Sequence, residues 1–226
     1  MIGFWNYTVY LTYLSIISGS AGICFAASGK PWGIWVAIGC LLLSGLCDLF
    51  DGSVARTKKD RTEQEKSFGI QIDSLSDLVS FGVLPAVIGF AMVSQNYHIS
   101  EYRFWFMPVF VLVVLFGLIR LAYFNVLAED SSNEGGKKFY WGMPITMTSL
   151  LVPFVFAIEV AIEKICKVQE FSLSYIMLGA LLLMAILFVL KIKVPKMHKK
   201  GIILLSVVGL ALFVACIVIY NVLWTK

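Results

Sequence analysis

Long apolar runs limit this chain to a narrow range of folds. Stretches of about 20 apolar residues, the length that crosses a bilayer as a helix, recur seven times in the 226 residues. They lie at residues 8–27, 32–49, 74–94, 104–127, 143–162, 173–190 and 202–223. Hydrophobic residues make up 59% of the chain and charged residues 14%, so most side chains must face lipid or other apolar helices. The sequence predicts an all-α, polytopic membrane helix bundle of about seven transmembrane helices, forming a single integral membrane domain over residues 1–226.

Four aspartates lie at the ends of two of these runs, where they need a compensating charge. Ionised carboxylates in a membrane segment cost about 2.5 to 3.5 kcal/mol each, so four of them imply a cation and access to water. Asp48 and Asp51 are spaced i, i+3, and Gly69, Asp73 and Asp77 are spaced i, i+4, i+8, so each set shares one helix face. Two such faces turned together would form a hard, all-oxygen site suited to Mg2+ or Mn2+.

These carboxylates alone leave a second function open. A divalent-cation transporter would also carry acidic residues on facing helices exposed to water. That hypothesis places the carboxylates near the bilayer midplane. It gives no role to four other residues of the same strings, Gly52, Ala55, Arg56 and Gly69.

Basic residues are distributed unevenly between the two sides of the predicted bundle. With the N-terminus inside, the inner connections carry Arg56, Lys58, Lys59, Arg61, Lys66, Lys137, Lys138, Lys191, Lys193, Lys196, Lys199 and Lys200. The outer side has only Lys30, Arg103, Lys164, Lys167 and Lys226. The positive-inside rule therefore predicts a multi-pass cell membrane protein with its aspartates at the cytoplasmic face. A net charge of +4 from lysines beside membrane spans favours contact with anionic membrane lipids and no nucleic-acid partner.

The two aspartate strings together carry a family signature. They resemble D-x-x-D-G-x-x-A-R followed by G-x-x-x-D-x-x-x-D, the signature of the CDP-alcohol phosphotransferases, and contain all eight of its fixed residues. These residues are Asp48, Asp51, Gly52, Ala55, Arg56, Gly69, Asp73 and Asp77. The gap between the strings, residues 57–68, is about one helical turn longer than is usual in the family. Its charged residues predict a solvated loop that leaves the site intact.

The resemblance implies a fold and a set of roles. It implies a six-helix catalytic core over residues 8–191, an additional C-terminal transmembrane helix over residues 201–223, and a homodimer. Asp48, Asp51 and Asp73 would hold one Mg2+ or Mn2+ ion, and Asp77 would share a second and act as the general base. The phosphatidyl donor would be CDP-diacylglycerol. Arg56 would bind one of its phosphate oxygens, while Gly52, Ala55 and Gly69 would leave room for its cytidine and pyrophosphate beside the helix backbones. The acceptor hydroxyl would attack directly and release CMP.

Residues around the third and fourth aspartates indicate the acceptor. Residues 73–85 resemble the D-S-L-x-D-x-x-S-F-G-x-x-P string of the family members that transfer a phosphatidyl group to L-serine. Residues 120–126 and 140–144 resemble two further stretches of that branch, R-L-A-R-F-N and F-x-G-L-P, with Tyr123 replacing the second arginine.

Serine, as an acceptor, brings a carboxylate that needs a cation. Arg120, together with Asn125, could bind this carboxylate. The alternative is that Arg120 is an interfacial residue whose guanidinium reaches for water at the end of the fourth span. Ser74 and Tyr123 are further candidates for the serine pocket. Family members that use glycerol phosphate, an inositol or choline remain the nearest alternatives.

Overall fold

The protein is a bundle of membrane-length helices, which confirms the predicted fold class. The computed structural model describes residues 3–96, 99–130, 139–166, 173–195, 211 and 214. Its helices are α1 (Tyr10–Ala27), α2 (Pro31–Ala55), α3 (Glu63–Asp77), α4 (Leu84–Gln95), α5 (Met107–Asp130), α6 (Thr148–Cys166) and α7 (Leu173–Val189). A π-helical segment, Leu78–Val83, joins α3 to α4, and short 3-10 segments cover Tyr7–Val9, Ser100–Phe106 and Ile145–Met147.

Five helical stretches of the described chain are long and apolar enough to cross a bilayer, and α7 is a shorter apolar helix. They correspond to the first five predicted runs, and α7 corresponds to the sixth. The predicted seventh helix, residues 202–223, falls outside the described residues except at 211 and 214. The count of seven therefore stays a prediction.

Small residues let α1 and α2 pack closely as a hairpin. Ser18 Oγ donates to the Cys40 carbonyl at 2.9 Å, and Ser44 Oγ donates to the Ser15 carbonyl at 3.0 Å. A Cβ added at Gly22 would lie 2.9 Å from Cys40 Cβ, so a larger residue there would push the helices apart. Such small-residue contacts are typical of helix pairs in membranes. They fix the rotation of α2 and therefore the direction in which its aspartates point.

α3 and α4 form one continuous helical rod over residues 63–95. At 1.5 Å per residue its 33 residues span about 50 Å, which exceeds the ~30 Å hydrocarbon core. Asp73 lies about 33 Å along the axis from Gln95, and Asp77 about 27 Å. The aspartates therefore lie towards one end of the rod, and the polar first turns of α3 extend beyond them.

The prediction of a solvated loop over residues 57–68 is wrong for its second half. α3 begins at Glu63 because Thr62 and Glu65 form a capping box. In it the Glu65 backbone N–H donates to Thr62 Oγ1, and the Thr62 backbone N–H donates to the Glu65 carboxylate. Only residues 57–62, here called the α2–α3 connection, are non-helical.

Two short strands tie the chain together at the aspartate end. β1 (Phe139–Trp141) pairs antiparallel with β2 (Lys193–Pro195), so the segment before α6 lies beside the segment after α7. Gly142 follows β1 with a φ of +73° and donates its N–H to the Ile192 carbonyl at 2.7 Å. This left-handed conformation favours glycine.

Candidate active site

The structure brings the two predicted acidic faces together. Oxygen atoms of Asp48 on α2 and of Asp73 and Asp77 on α3 all lie within 4.8 Å of one another. The carboxyl groups of Asp48 and Asp77 are in hydrogen-bonding contact, and so are those of Asp51 and Asp73. Asp51 and Asp77 are only 8% and 9% exposed. This group of three includes Asp77, whereas the first ion was predicted to bind Asp48, Asp51 and Asp73.

α1 supports Asp51 through Thr12, which was not among the predicted site residues. Thr12 Oγ1 donates a hydrogen bond to Asp51 Oδ2 at 3.3 Å, and both side chains are buried. The spacing of Thr8 and Thr12, one helical turn apart at the start of the first apolar run, was the available signal. Ser15, on the next turn of α1, is buried against α2, where its Oγ is 3.5 Å from the Ser44 carbonyl.

The donor set fits a divalent cation. Carboxylates at this separation repel each other unless a cation or proton lies between them. Within the parts of the chain that the structure describes, ion pairs join Lys58 to Glu65 and Lys66 to Glu63, and none reaches the four aspartates. A cluster of carboxylate oxygens without a paired lysine or arginine is the ligand chemistry that Mg2+ and Mn2+ select. Asp48, Asp73 and Asp77, with Asp51 beside them, could hold such an ion.

A cavity of about 350 Å³ adjoins this cluster. Asp51 and Asp73 form its acidic side, and the four other signature residues, Gly52, Ala55, Arg56 and Gly69, line it as well. The N-terminal segment and α1 close it with Thr8, Val9 and Thr12.

Two further basic residues, Arg61 and Lys66, line the same cavity. Both were predicted to lie in a solvated loop over residues 57–68 and were not among the predicted site residues. The signal that could have revealed them is the capping pattern Thr62-x-x-Glu65, which starts α3 early. An early start turns the end of the α2–α3 connection and the first turns of α3 towards the signature.

The residues predicted to bind serine are only partly brought together. Ser74 Oγ donates to Asn125 Oδ1 at 3.1 Å, which joins α3 to α5 next to Asp73. Arg120 is 8% exposed and lies over the Phe124 ring, 4.5 Å from its centroid. It is five residues before Asn125, which is about 7.5 Å along the helix axis. Tyr123 is 46% exposed and contacts the edge of Phe124, so it lies on the outer surface of α5.

Comparison with known proteins agrees with this site. The sequence model of the CDP-alcohol phosphatidyltransferase family matches residues 5–225, nearly the whole chain. The chain therefore belongs to the CDP-alcohol phosphatidyltransferase family. Membership of this family explains why Gly52, Ala55, Arg56 and Gly69 accompany the aspartates. A divalent-cation transporter would give these four residues no role.

Several similar proteins share one acceptor in their names. A CDP-diacylglycerol–serine O-phosphatidyltransferase of Helicobacter pylori (strain J99) is 33% identical over 189 residues, covering 83% of this chain and 71% of the relative. A Saccharomyces cerevisiae protein of the same name is 38% identical over 151 residues, covering 63% of this chain and 50% of the relative. The archaetidylserine synthase of Methanothermobacter thermautotrophicus is 29% identical over 188 residues, covering 83% and 70%.

Proposed function

We propose that the protein is a phosphatidylserine synthase that transfers the phosphatidyl group of CDP-diacylglycerol to the hydroxyl of L-serine and releases CMP. One observation carries the proposal: acidic faces of α2 and α3 converge beside a cavity lined by the basic residues Arg56, Arg61 and Lys66. A pyrophosphate needs both a metal and cationic side chains, and this cavity offers ligands for each. The serine-specific names of the relatives support the choice of acceptor.

The aspartates are the metal ligands of this proposal. Asp48, Asp51, Asp73 and Asp77 would hold Mg2+ or Mn2+, with two ions proposed for the site. When bound, such ions neutralise charge on the transferring phosphate and on its leaving group. Thr12 keeps Asp51 oriented by its hydrogen bond to Oδ2.

The remaining signature residues bind and orient the lipid nucleotide. Arg56 donates to a phosphate oxygen, and Gly52, Ala55 and Gly69 let the nucleotide approach the helix backbones. Asp77 takes the proton of the serine hydroxyl, whose oxygen forms a bond to the phosphorus attached to diacylglycerol. The bond from that phosphorus to the oxygen bridging it to CMP breaks, and CMP leaves with the electron pair.

Serine is bound on the α5 side of α3. Asp73 faces the nucleotide cavity, whereas Ser74 is hydrogen-bonded to Asn125, so the two substrates approach α3 from different sides. Arg120 binds the serine carboxylate, with Asn125, Ser74 and Tyr123 as further contacts. Phe124 beneath the guanidinium restricts its movement.

The site faces the cytoplasm in this proposal. Arg56, Lys58, Lys59, Arg61 and Lys66 lie at the aspartate end, and they suit anionic lipid headgroups there. Part of the basic set, Lys137, Lys138, Lys196, Lys199 and Lys200, lies outside the described residues. Residues 8–191 form the catalytic core, residues 201–223 add a transmembrane helix, and the enzyme is a homodimer like other members of its family.

Incorporation of radiolabelled serine tests the proposed reaction. Purified protein with CDP-diacylglycerol and Mn2+ or Mg2+ should convert the label into a chloroform-soluble lipid whose mass is that of phosphatidylserine. Chelation of the metal should abolish the product, and Asp73→Asn provides the inactive control. A label that stays in the aqueous phase under all metal conditions would refute the proposal.

A further inference from the structure

Arg61 enters the nucleotide cavity from a part of the chain outside the family signature. It lies just before Thr62, the last residue of the α2–α3 connection, and its side chain lines the cavity together with Asp51, Arg56 and Asp73. Its Nη2 donates to the Glu65 carbonyl at 3.2 Å. A Cβ added at Gly69 would lie 2.6 Å from this Nη2. The guanidinium therefore occupies the space that the absent side chain of Gly69 leaves beside α3.

The α2–α3 connection is anchored at both ends, which fixes where Arg61 points. At its start, the hydroxyls of Thr57 and Tyr7 are 3.2 Å apart. Lys58 Nζ donates to Glu65 Oε1 at 2.7 Å, and Asn6 Nδ2 donates to the same oxygen at 3.0 Å. At its end, the Thr62–Glu65 capping box joins it to α3.

Among the described residues Arg61 has no ion pair with an acidic side chain, and its set of hydrogen bonds is incomplete. Lys66 is paired with Glu63 at 2.7 Å, whereas neither ion pair of the described residues includes Arg61. Arg61 Nε is buried and has no hydrogen-bond partner among the described residues. A planar guanidinium with free N–H groups in a concave site is suited to a phosphate.

We infer that Arg61 binds a phosphate of the cytidine nucleotide and that Gly69 is small in order to seat the Arg61 guanidinium. The inference rests on the proposed transfer from CDP-diacylglycerol and adds a residue that the family signature does not contain. It also changes the reason for Gly69. A Cβ there would displace Arg61 from the cavity, even where the nucleotide itself had room.

Equilibrium binding of CDP to the purified protein, with Mn2+ present, tests this inference without requiring turnover. Arg61→Gln should raise the dissociation constant of CDP about tenfold, since a charge-assisted hydrogen bond is lost. The matched control is Lys59→Gln. Lys59 is an exposed residue of the same connection and does not line the cavity, so this variant should bind CDP as tightly as the wild type. Thermal unfolding of both variants in detergent monitors folding.

A double-mutant cycle then separates the two explanations for Gly69. If Gly69 seats Arg61, Gly69→Ala should weaken CDP binding by a similar factor, and the double variant should be no weaker than either single one. Factors that multiply in the double variant would mean that Gly69 serves the nucleotide directly, and would overturn its assigned role.

Three outcomes would overturn the role of Arg61. Equal CDP affinity in Arg61→Gln and Lys59→Gln would remove it from the nucleotide site. If thermal unfolding with added phosphatidylglycerol shows a stabilisation that Arg61→Gln loses and Lys59→Gln keeps, while CDP binding is intact, Arg61 is a lipid-headgroup contact. A wild-type protein that binds no CDP would instead contradict the proposed function itself, together with this inference.

Discussion

Asp73 and Ser74 are neighbours in the sequence, yet they point to different sides of α3. Successive residues of a helix point about 100° apart, so Asp73 lines the nucleotide cavity while Ser74 reaches Asn125 on α5. Asp77, one turn further on, lies against Asp48 and remains buried. In the proposed reaction, one face of α3 would hold the metal and an adjacent face would bind the acceptor.

Removing one carboxylate of the cluster should stop turnover without preventing insertion. Asp48→Asn, Asp51→Asn and Asp73→Asn each retain size but lose a charged ligand, so kcat should fall about 10³-fold. CMP release and Mn2+ binding measured on the purified variants check this expectation. Near-normal release at low Mn2+ or Mg2+ in all three variants would contradict the metal site.

Asp77→Asn should separate binding from chemistry. The amide keeps the size and hydrogen bonding of the side chain but cannot accept the serine proton, so kcat should fall about 10²- to 10⁴-fold. CDP-diacylglycerol should bind with an affinity closer to that of the wild type than its kcat would suggest. Retained catalysis across the pH range in which the wild type is active would rule out Asp77 as the base.

At the scale of elements, the apolar runs predicted the helices well because bilayer length constrains them directly. The i, i+3 and i, i+4 spacing likewise predicted which carboxylates would face each other. The start of α3 at Glu63 was missed, because a stretch with six charges among residues 58–65 looks like a loop unless the Thr62–Glu65 capping box is recognised. Because the early start of α3 was missed, Arg61 and Lys66 were not predicted to lie in the site, although both line the cavity.

Long-range contacts were beyond the reach of sequence patterns. The β1–β2 pair joins residues 139–141 to residues 193–195, and nothing in either segment specifies the other. Tyr123 could not be placed either, because α5 is apolar on every side and has no periodicity to orient it. The predicted serine contacts of Arg120 and Tyr123 therefore stay predictions.

The turn at Gly142 lies against Arg120, the residue proposed to bind the serine carboxylate. A Cβ on Gly142 would lie 3.0 Å from Arg120 Nη1 and 3.2 Å from the Leu190 and Phe188 carbonyl oxygens, on a backbone with φ of +73°. Gly142→Ala should therefore displace Arg120 and raise the KM for serine about tenfold, more than the KM for CDP-diacylglycerol. Steady-state kinetics with each substrate varied in turn measure both constants.

Two comparisons make the Gly142 prediction specific. Gly179→Ala changes a glycine of α7 whose added Cβ would meet nothing within 4 Å, so both KM values should stay unchanged. Arg120→Lys should reproduce the serine-selective defect, since an ammonium cannot form the bidentate contact of a guanidinium. Equal changes in both KM values for Gly142→Ala and Arg120→Lys would make Arg120 an interfacial anchor or a phosphate ligand.

At the scale of the whole molecule, the helix formed by α3 and α4 is longer than the bilayer is thick, so its aspartate-bearing end lies near the membrane surface. The rod of residues 63–95 is about 20 Å longer than the hydrocarbon core, and its polar end carries the capping box and the cavity. In the proposed reaction, the lipid substrate would keep its acyl chains among the exposed apolar side chains, while its nucleotide would reach the cavity at the polar end. Serine, which is soluble in water, would reach the same end from solution.

CMP release by the purified protein, supplied with CDP-diacylglycerol and a panel of alcohols, tests the central claim most directly. The panel comprises L-serine, serinol, glycerol 3-phosphate, an inositol and choline, each with the metal present. We expect rapid CMP release only with L-serine, in equal amount to phosphatidylserine, and slow release with serinol because it lacks the carboxylate. Faster release with any other acceptor, or a rate with serine no higher than with water alone, would contradict the assignment.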